Sequence, residues 1–324
     1  MSPVIETKNL TKIFANGKIR AVDGLSISID EGEVYGFLGP NGAGKTTTIK
    51  MLATLLDPTS GSAKVNGYDV TKQPSKVRES IGIIFQEPST DELLTGYENL
   101  KLHSLIYRIP SSEVDSRIES ALNLVELIDR KDDIVKTYSG GMRRRLEIAR
   151  GLLHRPKIMF LDEPTLGLDP RGRDTMWEYV KRLVKEQDMT ILLTTHYMEE
   201  ADSLCDRICI IDHGKAVATD TPAHLKKKIG GDIISVVADS PRIAGIRKLR
   251  FVKKVEQVDG KFLITVDNAA AHLQELLNKI GKVDCVEVRS PTLDDVFKKF
   301  TGRGLEQAEG GWFDKIVQES VNKQ

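Results

Sequence analysis

The sequence predicts an α/β protein, in which a mostly parallel sheet lies between helices and is followed by a small α+β domain. Three observations lead to this fold class. Short apolar runs alternate with amphipathic helical stretches up to about residue 222, one long stretch among them lacks strand-like runs, and strand-like segments return after Pro222. The alternation is typical of a parallel sheet covered by helices on both faces.

Four runs predict the strands of the parallel sheet. Each is short and apolar on both faces, which suits a strand buried between two helical layers. They occupy residues 34–38, 81–85, 158–161 and 190–193. A helix over 47–56 is expected after the first run, and a helical segment is expected near residues 87–100.

The chain is expected to divide into two domains and a tail. The first domain covers residues 1–222 and contains an inserted helical subdomain at about 87–138, in which apolar residues recur at helical spacing at Ile118, Leu122, Val125 and Ile128. A small accessory domain covers 223–303, and a polar tail covers 304–324.

The accessory domain has the segment order β-α-β-β-α-β, which fits a ferredoxin-like unit. Asp259-Gly260 indicates a hairpin, and Gly281 is placed to end the second helix. The predicted segments are a strand at 232–238, a helix at 243–249, hairpin strands at 255–258 and 262–266, a helix at 269–280, a strand at 283–288 and a closing helix at 293–300.

Composition argues against several classes of protein. Lys and Arg number 47, as do Asp and Glu, so the net charge of zero gives no support for binding to nucleic acid. No apolar run reaches the roughly 18 residues of a membrane-spanning helix, and no signal peptide is recognised, which predicts a cytoplasmic chain. Cys205, Cys209 and Cys285 form no C-x-x-C pair, so no metal site is expected, and Cys205 and Cys209 are expected to be core residues because they lie in an apolar stretch.

Residues 39–46 fit the pattern G-x-x-x-x-G-K-[ST], directly after the apolar run that ends at Leu38. Glycines let backbone N–H groups turn inward around an anion, and the following helix presents its N-terminus to the same anion. Lys45 is expected to reach the β- and γ-phosphates, and the Thr46 hydroxyl to ligate Mg²⁺. The predicted phosphate-binding residues are Gly39, Pro40, Asn41, Gly42, Ala43, Gly44, Lys45, Thr46 and Thr47.

An acidic pair, Asp162-Glu163, follows the strand predicted at 158–161. Phosphoryl transfer needs in-line positioning and charge neutralisation, and two carboxylates address both needs. Asp162 is predicted to hold Mg²⁺, and Glu163 to orient and deprotonate the attacking water. Without the glycine-rich loop, the same pair would more often be a solvated turn.

Ser139-Gly140-Gly141 opens a predicted helix and offers a second anion site, built from free amides and the helix dipole. It lies shortly before the acidic strand, and this order of segments resembles the ATP-binding subunits of ABC transporters. The resemblance covers about residues 4–221. It implies a P-loop NTPase domain of the ABC type, with ATP as substrate and Mg²⁺ as cofactor.

The resemblance assigns roles to residues by their places in the family's motifs. Gln86 would ligate Mg²⁺ and sense a permease, His196 would contact the γ-phosphate, and Phe14 would stack on adenine. The residues that would reach the nucleotide of a second subunit are Ser139, Gly140, Gly141 and Asp169. The catalytic set would be Glu163, His196 and Lys45.

The resemblance also implies partners. Two copies of the chain would pair head to tail, so that each ATP lies between the glycine-rich loop of one copy and Ser139 of the other. A separate membrane permease would dock beside Gln86 and the segment 87–100, which would place the chain on the inner face of the membrane.

Tyr138 and Met142 depart from the commonest form of the signature, L-S-G-G-Q, at its two outer positions. Met142 cannot make the hydrogen bonds of an amide side chain. With the Arg-rich run that follows, this version is similar to the daunorubicin- and multidrug-resistance exporters. Members of that subgroup also carry a C-terminal extension that ends much like residues 291–297, so drugs, antibiotics or lipid-like compounds are the expected cargo.

Two alternatives share the ATPase core. A soluble ABC ATPase that acts on ribosomes or DNA would be expected to carry two cassettes or a long coiled coil, whereas this sequence has one glycine-rich loop and no sustained heptads. An importer motor would differ in its permease rather than in its ATPase motifs.

Overall fold

The computed structural model describes residues 3–14, 17–238, 243–258 and 260–304. The chain divides into two compact units, and the boundary between them in sequence falls between Thr219 and Asp220. Asp259 of the predicted hairpin turn, and residues 305–324 of the predicted tail, lie outside the described residues.

The first unit contains strands and helices in alternation. Its strands are β1 (Ile5–Phe14), β2 (Ile19–Leu25), β3 (Ser28–Ile29), β4 (Val34–Leu38), β5 (Ser60–Val65), β6 (Tyr68–Asp69), β7 (Ile81–Ile84), β8 (Ile158–Asp162), β9 (Thr190–Thr195), β10 (Arg207–Asp212) and β11 (Lys215–Asp220). Its helices are α1 (Lys45–Leu52), α2 (Pro74–Ser80), α3 (Gly96–Ile106), α4 (Ser111–Leu124), α5 (Gly140–Leu152), α6 (Pro170–Gln187) and α7 (Met198–Leu204).

A six-stranded sheet with the order β11-β10-β4-β9-β8-β7 forms the centre of the first unit. The strands from β10 to β7 pair in parallel, and β4, β8 and β9 are buried at every position. The predicted parallel sheet is therefore confirmed. Because these strands run in the same direction, the carboxyl ends of β4, β7, β8 and β9 lie at the same edge of the sheet. Ligands of α/β proteins usually bind at this edge.

A second sheet, which the sequence analysis did not predict, is antiparallel. Its order is β2-β1-β5-β6, and β3 also pairs with β1. The strand β5 is exposed at most of its positions, so it lacks the continuous apolar run that marks the parallel strands. Buried residues from this sheet, such as Ile5 and Val65, pack in one core cluster with Tyr35 and Phe37 of β4.

The stretch between β7 and β8 is helical, as predicted, and its described residues include no strand of the sheets. It contains α3, α4, α5 and two 3₁₀ turns at Ile128–Arg130 and Val135–Thr137. The prediction of a helical segment near 87–100 is wrong for residues 87–95. Helix α3 begins only at Gly96, because Thr95 caps it in a capping box with Glu98.

Helix α1 is also shorter than expected. It ends at Leu52 rather than at residue 56, and Thr54 has a φ of 62°, which is a left-handed backbone conformation that a helix cannot include. The apolar residues after Leu52 therefore belong to the turn that leads into β5. The apolar residues of the sequence continue through this turn, which is why a longer helix was predicted.

The second unit has the ferredoxin-like topology that the segment order predicted. Its elements are α8 (Pro222–Lys227), β12 (Asp232–Val237), α9 (Ile243–Ile246), β13 (Val252–Val258), β14 (Lys261–Val266), α10 (Ala269–Ile280), β15 (Cys285–Arg289) and α11 (Leu293–Thr301). The strand order is β13-β14-β12-β15, and every neighbouring pair is antiparallel. Helix α10 has the predicted bounds, whereas α9 ends before residue 249.

The segment 291–297, which the sequence comparison with exporters singled out, is a helix cap. Thr292 accepts a hydrogen bond from the Asp295 amide, and the Asp295 carboxylate accepts from the Thr292 amide at 2.8 Å. Arg289, at the end of β15, binds the same carboxylate at 2.5 and 2.9 Å. Asp295 therefore joins the last strand to the last helix.

Asp295→Ala should loosen α11, because it removes both the capping box and the ion pair with Arg289. We expect a loss of about 1–3 kcal/mol in the local unfolding free energy at pH 7, in line with hydrogen bonds to charged groups. Hydrogen exchange measured on the full chain, over residues 293–301, checks this value. Asp294→Ala, at the exposed neighbouring position, is the matched control and should lose much less.

The same contact predicts a pH dependence. Burial by itself would raise the pKa of Asp295, but Arg289 and the Thr292 amide outweigh burial and hold that pKa below 3.8. A carboxyl whose pKa is lowered in the folded state stabilises that state above its ordinary pKa. Protection of α11 should therefore fall as the pH drops below about 3.8, and Asp295→Ala should remove this fall.

Candidate functional site

The glycine-rich loop connects the end of β4 to the start of α1. Gly42 and Gly44 have φ values of 80° and 105°, which favour glycine over other residues. A Cβ atom at Gly39 would lie 2.2 Å from the Ile211 carbonyl oxygen, and one at Gly44 would lie 2.3 Å from the Ala21 carbonyl oxygen. The loop thus needs glycine both for its turns and for close packing against neighbouring backbone.

Lys45 is the first residue of α1, and its side chain is buried inside the loop. Its Nζ donates to the Gly39 and Pro40 carbonyl oxygens at 2.7 and 3.1 Å. The same Nζ lies 3.4 Å from Glu163 Oε1. A buried ammonium at a helix N-terminus, next to free amides, provides strong attraction for an anionic group.

The Asp162 carboxylate ends β8 and is fully buried. Its Oδ1 accepts from the Thr46 hydroxyl at 3.0 Å and from the Thr194 hydroxyl at 2.6 Å. Its Oδ2 has no hydrogen-bond partner within the described part of the chain. A buried carboxylate oxygen left without a partner is costly unless a ligand completes it.

This donor set fits a hard divalent cation. Carboxylate, hydroxyl and amide oxygens are the ligands that Mg²⁺ prefers, and it usually takes only one or two carboxylates from the protein. No group of three or more His, Cys, Asp or Glu side chains that could hold a metal occurs in the described ranges. An ion beside Asp162 would therefore depend on Thr46, on Gln86 and on the nucleotide as well.

Glu163 follows Asp162 in a left-handed conformation, with a φ of 50°. Its amide donates to the Thr194 carbonyl and hydroxyl oxygens at 3.2 and 3.1 Å, which fixes the turn. Its Oε1 lies 3.3 Å from His196 Nδ1, a close contact that lacks hydrogen-bond geometry. Burial by itself would raise the pKa of Glu163, but His196 and Lys45 outweigh it and the pKa lies below its usual value.

Most of the nucleotide residues predicted from sequence line one cavity of about 580 Å³. At its edge lies Phe14, which is 38% exposed and has the Lys12 ammonium 5.3 Å from its ring centroid. The predicted residues that line it are Phe14, Asn41, Gly42, Ala43, Gly44, Lys45, Thr46, Thr47, Gln86 and Glu163. The cavity therefore has an aromatic residue at its edge and the phosphate-binding loop along its wall.

The predicted signature residues lie elsewhere on the same unit. Ser139 caps α5 and accepts from the Met142 amide at 3.2 Å, while Asp169 caps α6 and accepts from the Gly172 amide at 2.9 Å. A second cavity of about 660 Å³ is lined by Ser139, Gly140, Gly141, Met142 and Asp169. It shares no lining residue with the first cavity. One chain therefore does not bring its own signature to its own glycine-rich loop.

Sequence reasoning missed two residues that shape the site. Thr194 binds both Asp162 and the Glu163 backbone, and Arg144 donates to the carbonyl oxygens of Asp162, Glu163 and Pro164. The sequence offered a weak signal for each. Thr194 precedes the predicted His196 by two residues, and Arg144 lies in the Arg-rich run after Ser139.

Comparison with known proteins identifies the family. A family model described as "ABC transporter" matches residues 22–166, and a model of the C-terminal domain of DrrA1-3-like ATP-binding proteins matches residues 221–301. The daunorubicin resistance ATP-binding protein DrrA2 of Streptomyces coeruleorubidus is 41% identical, with 90% of this chain and 94% of that protein aligned. This chain belongs to the ATP-binding subunits of ABC transporters.

Other ABC proteins agree with this assignment. The linearmycin resistance ATP-binding protein LnrL of Bacillus subtilis is 37% identical, over 93% of this chain and 99% of that protein. A solved ATP-binding cassette, described as a dimer in a post-hydrolysis state with ADP and Pi, aligns with a TM-score of 0.61 and 28% identity. It covers 67% of this ABC subunit, whose P-loop NTPase fold is thereby confirmed.

As a member of this family, the ABC subunit binds and hydrolyses ATP. Within its described residues, no helix is long and apolar enough to cross a membrane. Cys205 and Cys209 are buried, as expected of core residues, whereas Cys285 is exposed. The exposed cysteine begins β15, an outer strand of the four-stranded sheet in the second unit.

Lys45→Ala should weaken ATP binding. The substitution removes the buried ammonium, and charge-assisted hydrogen bonds are worth about 1.5–3 kcal/mol, so we expect affinity to fall about 10- to 100-fold. Fluorescent ATP titration of the purified chain measures this change. Lys50→Ala, which removes an exposed ammonium from the same helix, is the control and should bind normally. Unchanged affinity in Lys45→Ala would contradict the phosphate-binding role of the loop.

Proposed function

We propose that this ABC subunit powers an exporter, and that two copies close head to tail on ATP. The separation of the two cavities carries the proposal, because Ser139 cannot meet the nucleotide bound to its own glycine-rich loop. A second subunit placed head to tail brings its signature cavity over that nucleotide. The dimeric description of the solved cassette supports the same arrangement.

Each ATP then has two sets of contacts. From one subunit, Phe14 stacks on adenine, and the amides of residues 39–47 with Lys45 bind the phosphates. From the partner copy come the equivalents of Ser139, Gly140, Gly141 and Asp169. Free amides at the N-terminus of α5 favour the terminal phosphate, since a helix N-terminus carries partial positive charge.

Glu163 acts as the general base in this proposal. In the described structure its carboxylate is held by Lys45 and His196. Bound phosphates attract Lys45 and bring negative charge toward Glu163, and both changes raise the pKa of its carboxyl. The Glu163 carboxylate then accepts a proton from water, whose oxygen bonds to the γ-phosphorus as the bond to the ADP oxygen breaks. His196 faces the same phosphate.

Thr46, Asp162 and Gln86 would hold Mg²⁺. The unpartnered Oδ2 of Asp162 supports this assignment. When bound, the ion would neutralise charge on the phosphate oxygens. The residues themselves already hold the carboxylate in place through Thr194, so the ion would meet a fixed oxygen rather than a mobile side chain.

The assignment of this subunit to an exporter is based on the descriptions of its relatives. Two are described as resistance proteins, against daunorubicin and linearmycin, and the C-terminal domain matches the DrrA-like model. We therefore infer that the subunit drives efflux of drugs, antibiotics or lipid-like compounds through a separate permease. It binds no nucleic acid and works as a peripheral protein on the cytoplasmic face of the membrane.

We also infer a division of labour along the chain. Residues 1–222 form the motor, with the helical subdomain at about 87–138, and residues 223–303 form an accessory domain. The docking surface for the permease lies beside Gln86, on the helical subdomain. Exposed apolar residues support this placement, since four large ones occur within residues 93–106: Leu93, Leu102, Leu105 and Ile106.

Glu163→Gln should bind ATP but hydrolyse it slowly, because an amide cannot accept the proton from water. Slow hydrolysis then leaves the closed dimer to accumulate. We expect turnover to fall at least about 100-fold, within the range of general-base catalysis, while ATP induces a dimer on size-exclusion chromatography with light scattering. Near-normal turnover would remove Glu163 from its role.

The signature supplies the control for that experiment. Glu163→Gln combined with Ser139→Arg should still bind ATP, because the glycine-rich loop is intact, but should remain monomeric. The added guanidinium fills the cavity in which the partner's nucleotide would lie. If the double variant dimerises with ATP as readily as the single variant, the head-to-tail arrangement is wrong.

Leu93→Asp should uncouple the motor from its permease. Leu93 is 77% exposed, so the substitution spares the core but places a charge on an apolar docking surface. We expect normal ATPase activity of the isolated subunit and loss of co-purification with the permease encoded beside it. Leu55→Asp, at a leucine that is 56% exposed outside the helical subdomain, should retain the permease. Equal retention by both variants would place the docking surface elsewhere.

A further inference from the structure

The Arg144 side chain reaches from helix α5 into the catalytic region. Its Nε donates to the Pro164 carbonyl oxygen at 3.0 Å, and one Nη donates to the Asp162 and Glu163 carbonyl oxygens at 3.1 Å each. The other Nη donates to the Phe85 carbonyl oxygen. A single guanidinium therefore joins the backbone around Glu163 to the residue before Gln86.

These contacts need the geometry of arginine. The planar guanidinium presents five N–H donors in a fixed fork, and here the fork binds carbonyl oxygens from two separate loops. Burial lowers the pKa of Arg144, although the guanidinium stays charged. A buried charge is tolerated only when its donors are satisfied, so displacing either loop would leave donors without acceptors.

Glu147, one turn further along α5, holds the other end of the same loop. Its side chain is only 2% exposed and accepts from the Ser89 and Thr90 amides at 2.8 Å each and from the Ser89 hydroxyl at 3.0 Å. Arg150 pairs with it at 2.6 Å and donates to the Ser89 carbonyl oxygen. Helix α5 thus fixes the chain on both sides of Gln86.

We propose that Arg144 and Glu147 are positioning residues for ATP hydrolysis, which fix Gln86 and the Glu163 backbone relative to Ser139. Gln86, the Glu163 backbone and Ser139 all depend on one helix, because Ser139 caps α5 and the two positioning side chains lie further along it. The inference rests on the proposed function, in which Ser139 binds the partner's nucleotide. In addition, a displacement of α5 by the partner's nucleotide would move Gln86 and Glu163 of the subunit that contains this α5.

The proposal separates the two residues from nucleotide binding. Neither of them lines the cavity with the glycine-rich loop, so substitution should leave the binding of ATP unchanged. The orientation of Glu163 should change instead, and a misplacement of about 1 Å in a catalytic group can cost about 100-fold in rate. A fall in kcat without a rise in KM is therefore expected.

The test uses steady-state ATPase assays of the full chain carrying Arg144→Met, Arg144→Lys or Glu147→Gln. We expect kcat to fall about 10- to 100-fold in Arg144→Met, with KM and the stoichiometry of bound ATP within about twofold of the parent. Arg144→Lys should recover only part of the loss, because its ammonium lacks the planar fork. Glu147→Gln keeps the shape of the side chain and should also lower kcat.

Arg143→Met is the matched control. Arg143 lies on the same helix, but its guanidinium contacts Glu92 and the Tyr138 and Lys136 carbonyl oxygens within the helical subdomain. It should keep kcat within about twofold of the parent, since the backbone around Glu163 is untouched.

A purely structural role would lower the fraction of chains that bind ATP, and the rate per bound nucleotide would stay normal. The rate per bound nucleotide therefore separates the two roles, because only a positioning role lowers the turnover of chains that have bound ATP.

Three results would overturn the proposal: a normal kcat in Arg144→Met, an equal loss in Arg143→Met, or a loss explained entirely by ATP stoichiometry. A different result is expected if the proposed function is wrong. Glu163→Gln would then form no dimer with ATP, while Arg144→Met would still lower kcat. Normal dimers of Glu163→Gln together with normal turnover in Arg144→Met would reject only the positioning role.

Discussion

The buried charges at the carboxyl edge of the parallel sheet constrain the rest of the site. Asp162, Glu163 and Lys45 are all taken out of water there, and burial of charge is tolerated only with partners. Thr46 and Thr194 satisfy one oxygen of Asp162, while its other oxygen has no partner among the described residues. The protein itself neutralises most of the charge of this site, and in the proposed function a bound phosphate with its cation would neutralise the rest.

Helix α5 connects this site to the surface that we propose meets a second subunit. The free amides at its exposed N-terminus, beside Ser139, suit a phosphate, while the partly buried Arg144 and the buried Glu147 lie further along the helix. Both ends of the loop containing Gln86 bind to that one helix, so in the proposed mechanism a displacement of the helix at the signature reaches the loop through hydrogen bonds to backbone atoms. This arrangement explains why an Arg-rich run follows the signature: the three arginines bind different parts of the first unit.

The second unit has a hydrophobic core of its own. Its sheet is antiparallel and its core is apolar, with Ile234, Val236, Ile264 and Val266 among the buried residues. In sequence, the segment 291–297 resembles the end of the C-terminal extension in a subgroup of exporters. In the structure it is a helix cap, in which Asp295 binds Thr292 and Arg289. These contacts stabilise the end of the second unit locally.

Features that depend on neighbouring residues in the chain could be predicted from the amino-acid sequence. The glycine-rich loop, the buried strands and the ferredoxin-like order were all predictable, because Gly39 to Thr46 act through consecutive backbone and apolar runs mark buried strands. The start of α3 follows from the local capping box of Thr95 and Glu98, whereas the antiparallel sheet and the contacts of Arg144 and Thr194 became visible only in three dimensions. Their partners lie far away in the chain, as with Arg144 and Phe85, and packing rather than local propensity selects such pairs.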